Sequence, residues 1–271
     1  MMSVKNSFAR RTVLVVTVLL LVAFAQSALA GDKLYMWQVK SETATITLVG
    51  SIHVGQPDFF PLADPYEEAF NAADVLAVEV DMTDPAVIQQ SAMLMMQKGM
   101  LPGAETLQTR LEPELYARLV AYAKEKGVPL AMYMKLKPGI VAVVLSMEEY
   151  KAQGFDPELG IDKHFLDAAK AADKEVRALE TVEDQLDIFL GIDDTLDDIL
   201  INETLEQMSD VGAIIDEMVG YWKSGDADGM GTFMESQRGE GPEMEALYRK
   251  LLDDRNVGMT ATITEWLGQD Q

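Results

Sequence analysis

Two short apolar runs near the start of the chain constrain its fold more than any other feature. Residues 47–55 read Thr-Leu-Val-Gly-Ser-Ile-His-Val-Gly, and residues 75–81 read Val-Leu-Ala-Val-Glu-Val-Asp. The near-continuous apolar character of the second run is typical of an interior strand that is buried on both faces. Each run nevertheless contains a reactive polar residue, His53 or Glu79. We therefore expect a sheet that brings an imidazole and a carboxylate to one edge.

Strand-like segments lie in the first third of the chain and once more near residue 174, and most of the remainder reads as helical. Strands are predicted at residues 34–39, 43–49, 75–80 and 174–179, with the first two joined as a hairpin. Helices are predicted at residues 66–71, 85–98, 113–126, 139–150, 160–172 and 242–267. The Gly/Asp-rich segment 224–231 lacks the spacing of an EF-hand loop, so we interpret it as an ordinary connection.

This order of elements predicts an α/β fold, with α+β as the alternative. We expect a single domain over residues 31–271, built on a central mixed β-sheet, with a helical insert at about residues 85–172. No internal repeat and no low-complexity linker divides the chain.

The first 30 residues have the pattern of a cleaved signal peptide. Lys5, Arg10 and Arg11 precede an apolar stretch at residues 13–24, and Ala28-Leu-Ala30 is a small-residue cleavage site. The apolar stretch is shorter than the roughly 20 residues that span a bilayer. We therefore predict cleavage after Ala30, a periplasmic or secreted protein and no stable membrane insertion afterwards. An uncleaved anchor is the alternative.

The mature chain is strongly acidic and has no cysteine. Its net charge changes from −23 to −26 when the three positive charges of the signal segment are removed. Such a charge repels nucleic acid and anionic membrane surfaces, so neither is an expected partner. Because no disulfide can form, the stability of the exported protein must come from its core.

His53 and Glu79 are the residues on which a functional site could be built. Gly50 and Gly55 flank His53, and glycines allow a chain to turn sharply where a strand ends. A carboxylate in so apolar a strand is costly unless it is paired, bound to a metal or protonated. The alternatives are a histidine packed in the core and a glutamate paired with an arginine, but the two residues together favour function.

Several segments resemble the TraB/GumN family, which includes the pheromone-shutdown proteins and the Tiki metalloproteases. The resemblance covers most of the mature chain. Its landmarks, in the order that the family has them, are Leu34-Tyr-Met-Trp37, Gly50-Ser-Ile-His53 with Val78-Glu79-Val-Asp81, Gly160-Ile-Asp-Lys-His-Phe165, Leu179-Glu-Thr-Val-Glu-Asp-Gln185 and Leu252-Asp-Asp-Arg-Asn256.

The resemblance implies a Tiki-like, erythromycin-esterase-like core and, for some members, metal-dependent hydrolysis of a peptide or protein substrate with manganese or cobalt. The family site uses a G-x-x-H histidine, a strand glutamate and a second G-x-x-H near the C-terminus. The first two match His53 and Glu79, whereas the second G-x-x-H is not present before Gln271. A hydrolytic metal centre generally needs about three protein ligands, so this site is incomplete.

Further residues receive supporting roles through the resemblance. His164 could replace the missing ligand, but packing on a helix face is its more common role. Arg255 could neutralise Glu79 or bind a substrate carboxylate. Asp162 is expected to cap a helix N-terminus. The full supporting set is Gly50, Asp162, Glu180, Gln185, Arg255 and Asn256.

Two functions of different kinds follow from these patterns. The first is an exported metal-dependent peptide hydrolase with an incomplete site, in which His53 and Glu79 bind metal or activate water. The second is a non-catalytic periplasmic binding or interaction protein that has lost half of the site. A frameshift or a truncated gene model would also explain the missing segment, and the coding sequence downstream of Gln271 would test that explanation.

A cluster of methionines stands apart from these motifs. Met93, Met95, Met96 and Met100 lie within eight residues of one another, the first three on a predicted helix. Thioethers are ligands for soft metals such as copper. Adaptable filling of a core is the commoner use of methionine, and we expect it here.

Overall fold

The computed structural model describes residues 33–192, 194–208, 210–238 and 241–268. The predicted signal segment at residues 1–30 lies outside these residues. Within the described ranges, no helix combines the length and the apolar character needed to cross a membrane.

Four short strands form two separate sheets in the described part of the chain. The first pair is antiparallel, with Met36 opposite Val49, and the second is parallel, with Val75 opposite Glu175. The mixed α/β or α+β class is therefore confirmed, although the expected central sheet occurs as two small sheets. The strands are β1 (Met36–Lys40), β2 (Thr45–Val49), β3 (Val75–Val78) and β4 (Glu175–Ala178).

Helices make up most of the described residues. They are α1 (Asp64–Ala72), α2 (Pro85–Lys98), α3 (Leu107–Arg110), α4 (Pro113–Lys126), α5 (Pro138–Ala152), α6 (Ile161–Ala171), α7 (Val182–Leu190), α8 (Asp197–Gln207), α9 (Val211–Ser224), α10 (Ala227–Ser236), α11 (Pro242–Tyr248) and α12 (Asp254–Leu267). A π-helical turn over Arg249–Asp253 joins α11 to α12, so the predicted last helix is one continuous helical run.

Local sequence explains where several helices begin and end. The Asp84 side chain accepts a hydrogen bond from the backbone N–H of Ala86 and caps α2. Gly127 ends α4 in the left-handed conformation that glycine adopts without a steric penalty. The connection predicted at residues 224–231 is wrong in part, because Asp226 caps α10 and that helix begins at Ala227.

Strand β3 does not have the environment that its apolar sequence predicts. Val75, Leu76 and Val78 are half-buried, and Ala77 is exposed. An interior strand would be covered on both faces. Among the described strands, β4 is its one partner. The expectation of an interior strand was therefore wrong.

The pairing of β3 with β4 continues beyond both strands and positions two carboxylate residues side by side. The N–H of Leu179 donates to the carbonyl of Val78 at 2.8 Å, and the N–H of Glu180 donates to that of Glu79 at 2.9 Å. Helices α2 to α6 separate the two strands in sequence. Glu79 and Glu180 thus lie together at the C-terminal edge of the parallel pair, where open α/β sheets place their sites.

A buried aromatic cluster fixes the end of β2. The Trp222 indole stacks between Phe59 and Tyr66, at ring-centroid distances of 5.9 and 5.6 Å. Its Nε1–H donates to the carbonyl of Gly50 at 2.7 Å. A Cβ atom at Gly50 would lie 2.0 Å from the ring of Tyr35, so glycine is required there for packing. The cluster therefore holds the loop that carries His53.

Candidate functional site

The loop after β2 is fixed against the N-terminus of α6, and this contact places His53. The N–H of Ile161 donates to the carbonyl of Ile52 at 2.9 Å, and the N–H of Gly55 donates to that of Asp156 at 2.9 Å. His53 lies between these two backbone contacts. Its position is therefore set by tertiary hydrogen bonds as well as by the end of the strand.

Gly160 allows the close approach of this loop to α6. A Cβ atom at residue 160 would lie 2.7 Å from the carbonyl oxygen of His53 and 2.9 Å from its carbonyl carbon. Both atoms belong to the backbone, so no side-chain rotation can relieve the contact. The His53 loop would have to move.

We expect Gly160→Ala to displace His53 and to lower stability. Steric overpacking of this kind typically costs about 1–3 kcal/mol. The matched control is Gly220→Ala in α9, where an added Cβ has no neighbour within 4 Å. That control should gain about 0.5–1 kcal/mol. Urea unfolding of both variants measures the two changes, and equal unfolding midpoints would contradict the role of Gly160.

The two ring nitrogens of His53 face Asp162 and Glu79. His53 Nδ1 lies 3.0 Å from Asp162 Oδ2, and His53 Nε2 lies 3.9 Å from Glu79 Oε2. The imidazole is 38% exposed, whereas the Glu79 side chain is 10% exposed. The Asp162 contact fixes the tautomer, so Nε2 is the nitrogen that faces Glu79 and is available to accept a proton or bind a cation.

Electrostatic interactions between His53 and Asp162 favour the charged form of both side chains. Burial lowers the pKa of His53, but the hydrogen bond and charge of Asp162, aided by the charge of Glu79, outweigh burial and raise it above its usual value. Burial raises the pKa of Asp162, but hydrogen bonds from His53 and from backbone N–H groups at the start of α6 hold it below its usual range. Asp162 therefore serves both the helix N-terminus and the imidazole.

Arg255 of α12 binds both carboxylates at the edge of the parallel strands. Its Nη2 lies 2.6 Å from Glu79 Oε2 and 2.6 Å from Glu180 Oε2, and its Nε donates to Glu180 Oε1 at 2.9 Å. Gln185 Nε2 donates to the same Glu79 oxygen at 3.0 Å. Burial lowers the pKa of Arg255, but the two glutamates outweigh it and raise the pKa. The guanidinium thus remains charged and offsets one of the two negative charges of the buried carboxylates.

The other residues singled out from the sequence lie around this centre or away from it. His164 Nε2 contacts Glu67 Oε1 at 2.8 Å, and its ring packs against Phe60 and Phe165. It is therefore engaged with α1 rather than with Glu79. Asn256 follows Arg255 on α12 and is half-buried.

The donor atoms near His53 fit a divalent cation as two of its ligands. Metal-bound histidines usually donate their second nitrogen to a carboxylate, as His53 does to Asp162. Two ligands with bonds of about 2.1 Å can be at most about 4.2 Å apart, and His53 Nε2 and Glu79 Oε2 meet this limit. Within the described ranges, however, no group of three or more His, Asp or Glu side chains is arranged to hold a metal ion.

Sequence reasoning missed one contact and one residue at this site. Asp162 was named in the supporting set as a helix cap, but its contact with His53 depends on how the loop packs on α6. Ser51 was not considered, yet its Oγ lies 3.4 Å from Asp162 Oδ1. The one feature of the sequence that indicates a role for Ser51 is its position two residues before His53, and this is weak evidence.

Comparisons with known proteins agree with the motifs. The model of the TraB/PrgY/gumN family matches residues 35–271. Uncharacterized protein YbaP of Escherichia coli is 27% identical over 215 residues, which are 78% of this chain and 74% of YbaP. Metalloprotease TIKI1 of Danio rerio is 33% identical over 103 residues, which are 37% of this chain and 19% of TIKI1. No solved structure gives a significant match.

Proposed function

Because the chain belongs to the TraB/PrgY/gumN family, we propose that it is an exported hydrolase that cleaves peptide bonds at the His53–Glu79 site. The observation that carries the proposal is the 3.9 Å approach of His53 Nε2 to Glu79 Oε2, with Asp162 bonded to the opposite ring nitrogen. An oriented imidazole beside a carboxylate is suited to move a proton to or from a reacting group. The partial similarity to Metalloprotease TIKI1 supports the reaction class.

His53 and Glu79 would hold a divalent metal ion, manganese or cobalt by resemblance to the family. When bound, such an ion lowers the pKa of a coordinated water and so supplies a nucleophile. Asp162 keeps the Nε2 lone pair of His53 directed towards Glu79. Arg255 and Gln185 fix the carboxylate of Glu79 in a single orientation.

The proposal includes export to the periplasm or the medium. The charged, apolar and small-residue regions of residues 1–30 support it. A mature N-terminus at Gly31, determined on the protein recovered from its host compartment, is the expected result.

Peptide cleavage by the purified protein tests the site. The wild-type chain, supplied with Mn²⁺ or Co²⁺, should cleave a peptide library, and His53→Ala and Glu79→Gln should abolish the cleavage. His164→Ala is the matched control because it removes the other histidine of the chain, which contacts Glu67 instead. Cleavage that is equal in the wild type and in His53→Ala would refute the assignment.

A non-catalytic binding protein is the second candidate, and one observation favours it. The Glu79 oxygen that faces His53 already receives hydrogen bonds from Arg255 and Gln185, so its charge is partly compensated without a metal ion. A cation there must compete with a guanidinium. Metal analysis after purification distinguishes the candidates, since stoichiometric metal that is lost in His53→Ala would argue against a purely binding role.

A further inference from the structure

The outer face of α2 exposes methionines that the core does not use. Met93, Met96 and Met100 are 51%, 79% and 41% exposed. Met95, on the same helix, is partly buried and packs against the cluster that contains Val80 and Leu94. The expectation that these methionines fill the core is therefore wrong for three of them.

Two of the three exposed side chains share one side of the helix, and the third follows its end. Met93 and Met96 are three residues apart in α2, a spacing at which Cβ atoms are about 5–6 Å apart. Met100 follows four residues later, past the end of the helix at Lys98, where its backbone forms a bridge with Leu136. A methionine side chain has three rotatable bonds, so three exposed thioethers at these spacings can turn towards a common point.

The segment that carries these methionines is almost uncharged, which is unusual in so acidic a chain. Between residues 85 and 104, Lys98 is the sole charged residue, and its ammonium contacts Glu183 and Asp187 of α7. A shallow groove next to Met93 is lined by α2 residues, three of them glutamines. Hard cations prefer carboxylates, and α2 itself contains none, so the donor atoms that it offers are soft.

Apolar bulk does not explain why methionine occupies these positions. Leucine and methionine have similar helix propensities, and exposed apolar side chains of either type favour aggregation. The property that leucine lacks is the thioether sulfur, which binds soft ions such as Cu(I). We propose that Met93, Met96 and Met100 form a binding site for a soft monovalent ion, Cu(I) or Ag(I). The site shares no residue with the hydrolytic site.

Titration with Ag(I) tests the proposal without a reductant. In chloride-free buffer, calorimetry on the full mature protein should detect one equivalent of Ag(I). Met93→Leu/Met96→Leu/Met100→Leu should weaken binding roughly tenfold or more. Met132→Leu is the matched control because Met132 is also exposed, at 75%, but lies outside α2. In methyl NMR spectra, the signals of Met93, Met96 and Met100 should shift with Ag(I) while that of Met132 does not.

The leucine variant also separates ion binding from apolar docking. Leucine preserves side-chain volume and apolar character, so the fold and any peptide-docking role of this face should persist. Unchanged Ag(I) affinity in the triple variant would overturn the proposal, and so would a wild-type protein whose α2 methyl signals do not respond. Retained peptide cleavage by the triple variant is expected, because His53 and Glu79 are unchanged.

Discussion

Replacing Arg255 by methionine is expected to destabilise the protein by about 3–5 kcal/mol, because it leaves two buried carboxylates without their cation. The side chains of Arg255, Glu79 and Glu180 are 8%, 10% and 9% exposed. Water can therefore do little to solvate the carboxylates once the guanidinium is gone. Methionine keeps much of the packing volume, so the loss measures mainly the unpaired charge.

Urea unfolding of the Arg255→Met variant measures this cost. Arg118→Met is the matched control, because Arg118 also lies on a helix and contacts Asn202 and Glu206 but is half-exposed. Its exposed contacts should contribute less than about 1 kcal/mol. Adding Glu180→Gln to Arg255→Met should restore part of the lost stability, because one of the two buried charges is removed. An Arg255→Met variant as stable as the control would show that the carboxylates remain well solvated.

The elements of the fold were more predictable than their assembly. Prolines at helix starts and glycine at the end of α4 act within a few residues, so the bounds of α2 and α4 can be read from the sequence. Strand partners are chosen across long separations, and local patterns do not reveal that β1–β2 and β3–β4 form separate sheets. Helix α10 was missed because glycines favour a break, whereas burial of Met230 and Phe233 stabilises the helix.

The candidate site also has a part that the local sequence predicts and a part that it does not. His53 and Glu79 were identified because a polar residue is out of place in an apolar strand run, which is a property of the local sequence. Their partners come from distant elements: Asp162 from α6 and Arg255 from α12. The family resemblance suggested that Arg255 could neutralise Glu79, but only the packing of α12 shows that one guanidinium also binds Glu180. Geometry of this kind depends on tertiary contacts.

The Asp162→Asn variant is expected to lower the pKa of His53 and to reduce the proposed hydrolysis by about 10–100-fold, because Asp162 both stabilises the charged imidazole and fixes its tautomer. Titration of the His53 ring by NMR measures the first effect, with His164 as an internal reference. Asp167→Asn is the matched control, since Asp167 also lies on α6 but contacts Lys163 at the surface.

The direction of the pH effects follows from the two shifted pKa values. The raised pKa of His53 gives stability that is complete below pH 6.5 and is lost as the pH rises through the folded value. The lowered pKa of Asp162 gives stability that is present above pH 3.8 and is lost as the pH falls through its folded value. The His53–Asp162 pair should therefore stabilise the wild type most between pH 3.8 and pH 6.5. The difference in unfolding midpoint between the wild type and Asp162→Asn should be largest in that pH range.

The pH dependence of activity separates a positioning role for Asp162 from a merely structural one. If hydrolysis requires neutral His53, the acidic limb of the rate profile follows the pKa of that residue. The limb should then lie at lower pH in Asp162→Asn than in the wild type, while Asp167→Asn leaves it in place. A variant that loses activity through misfolding would lower the rate at every pH without moving the limb. An unchanged limb together with an unchanged His53 titration would remove Asp162 from the mechanism.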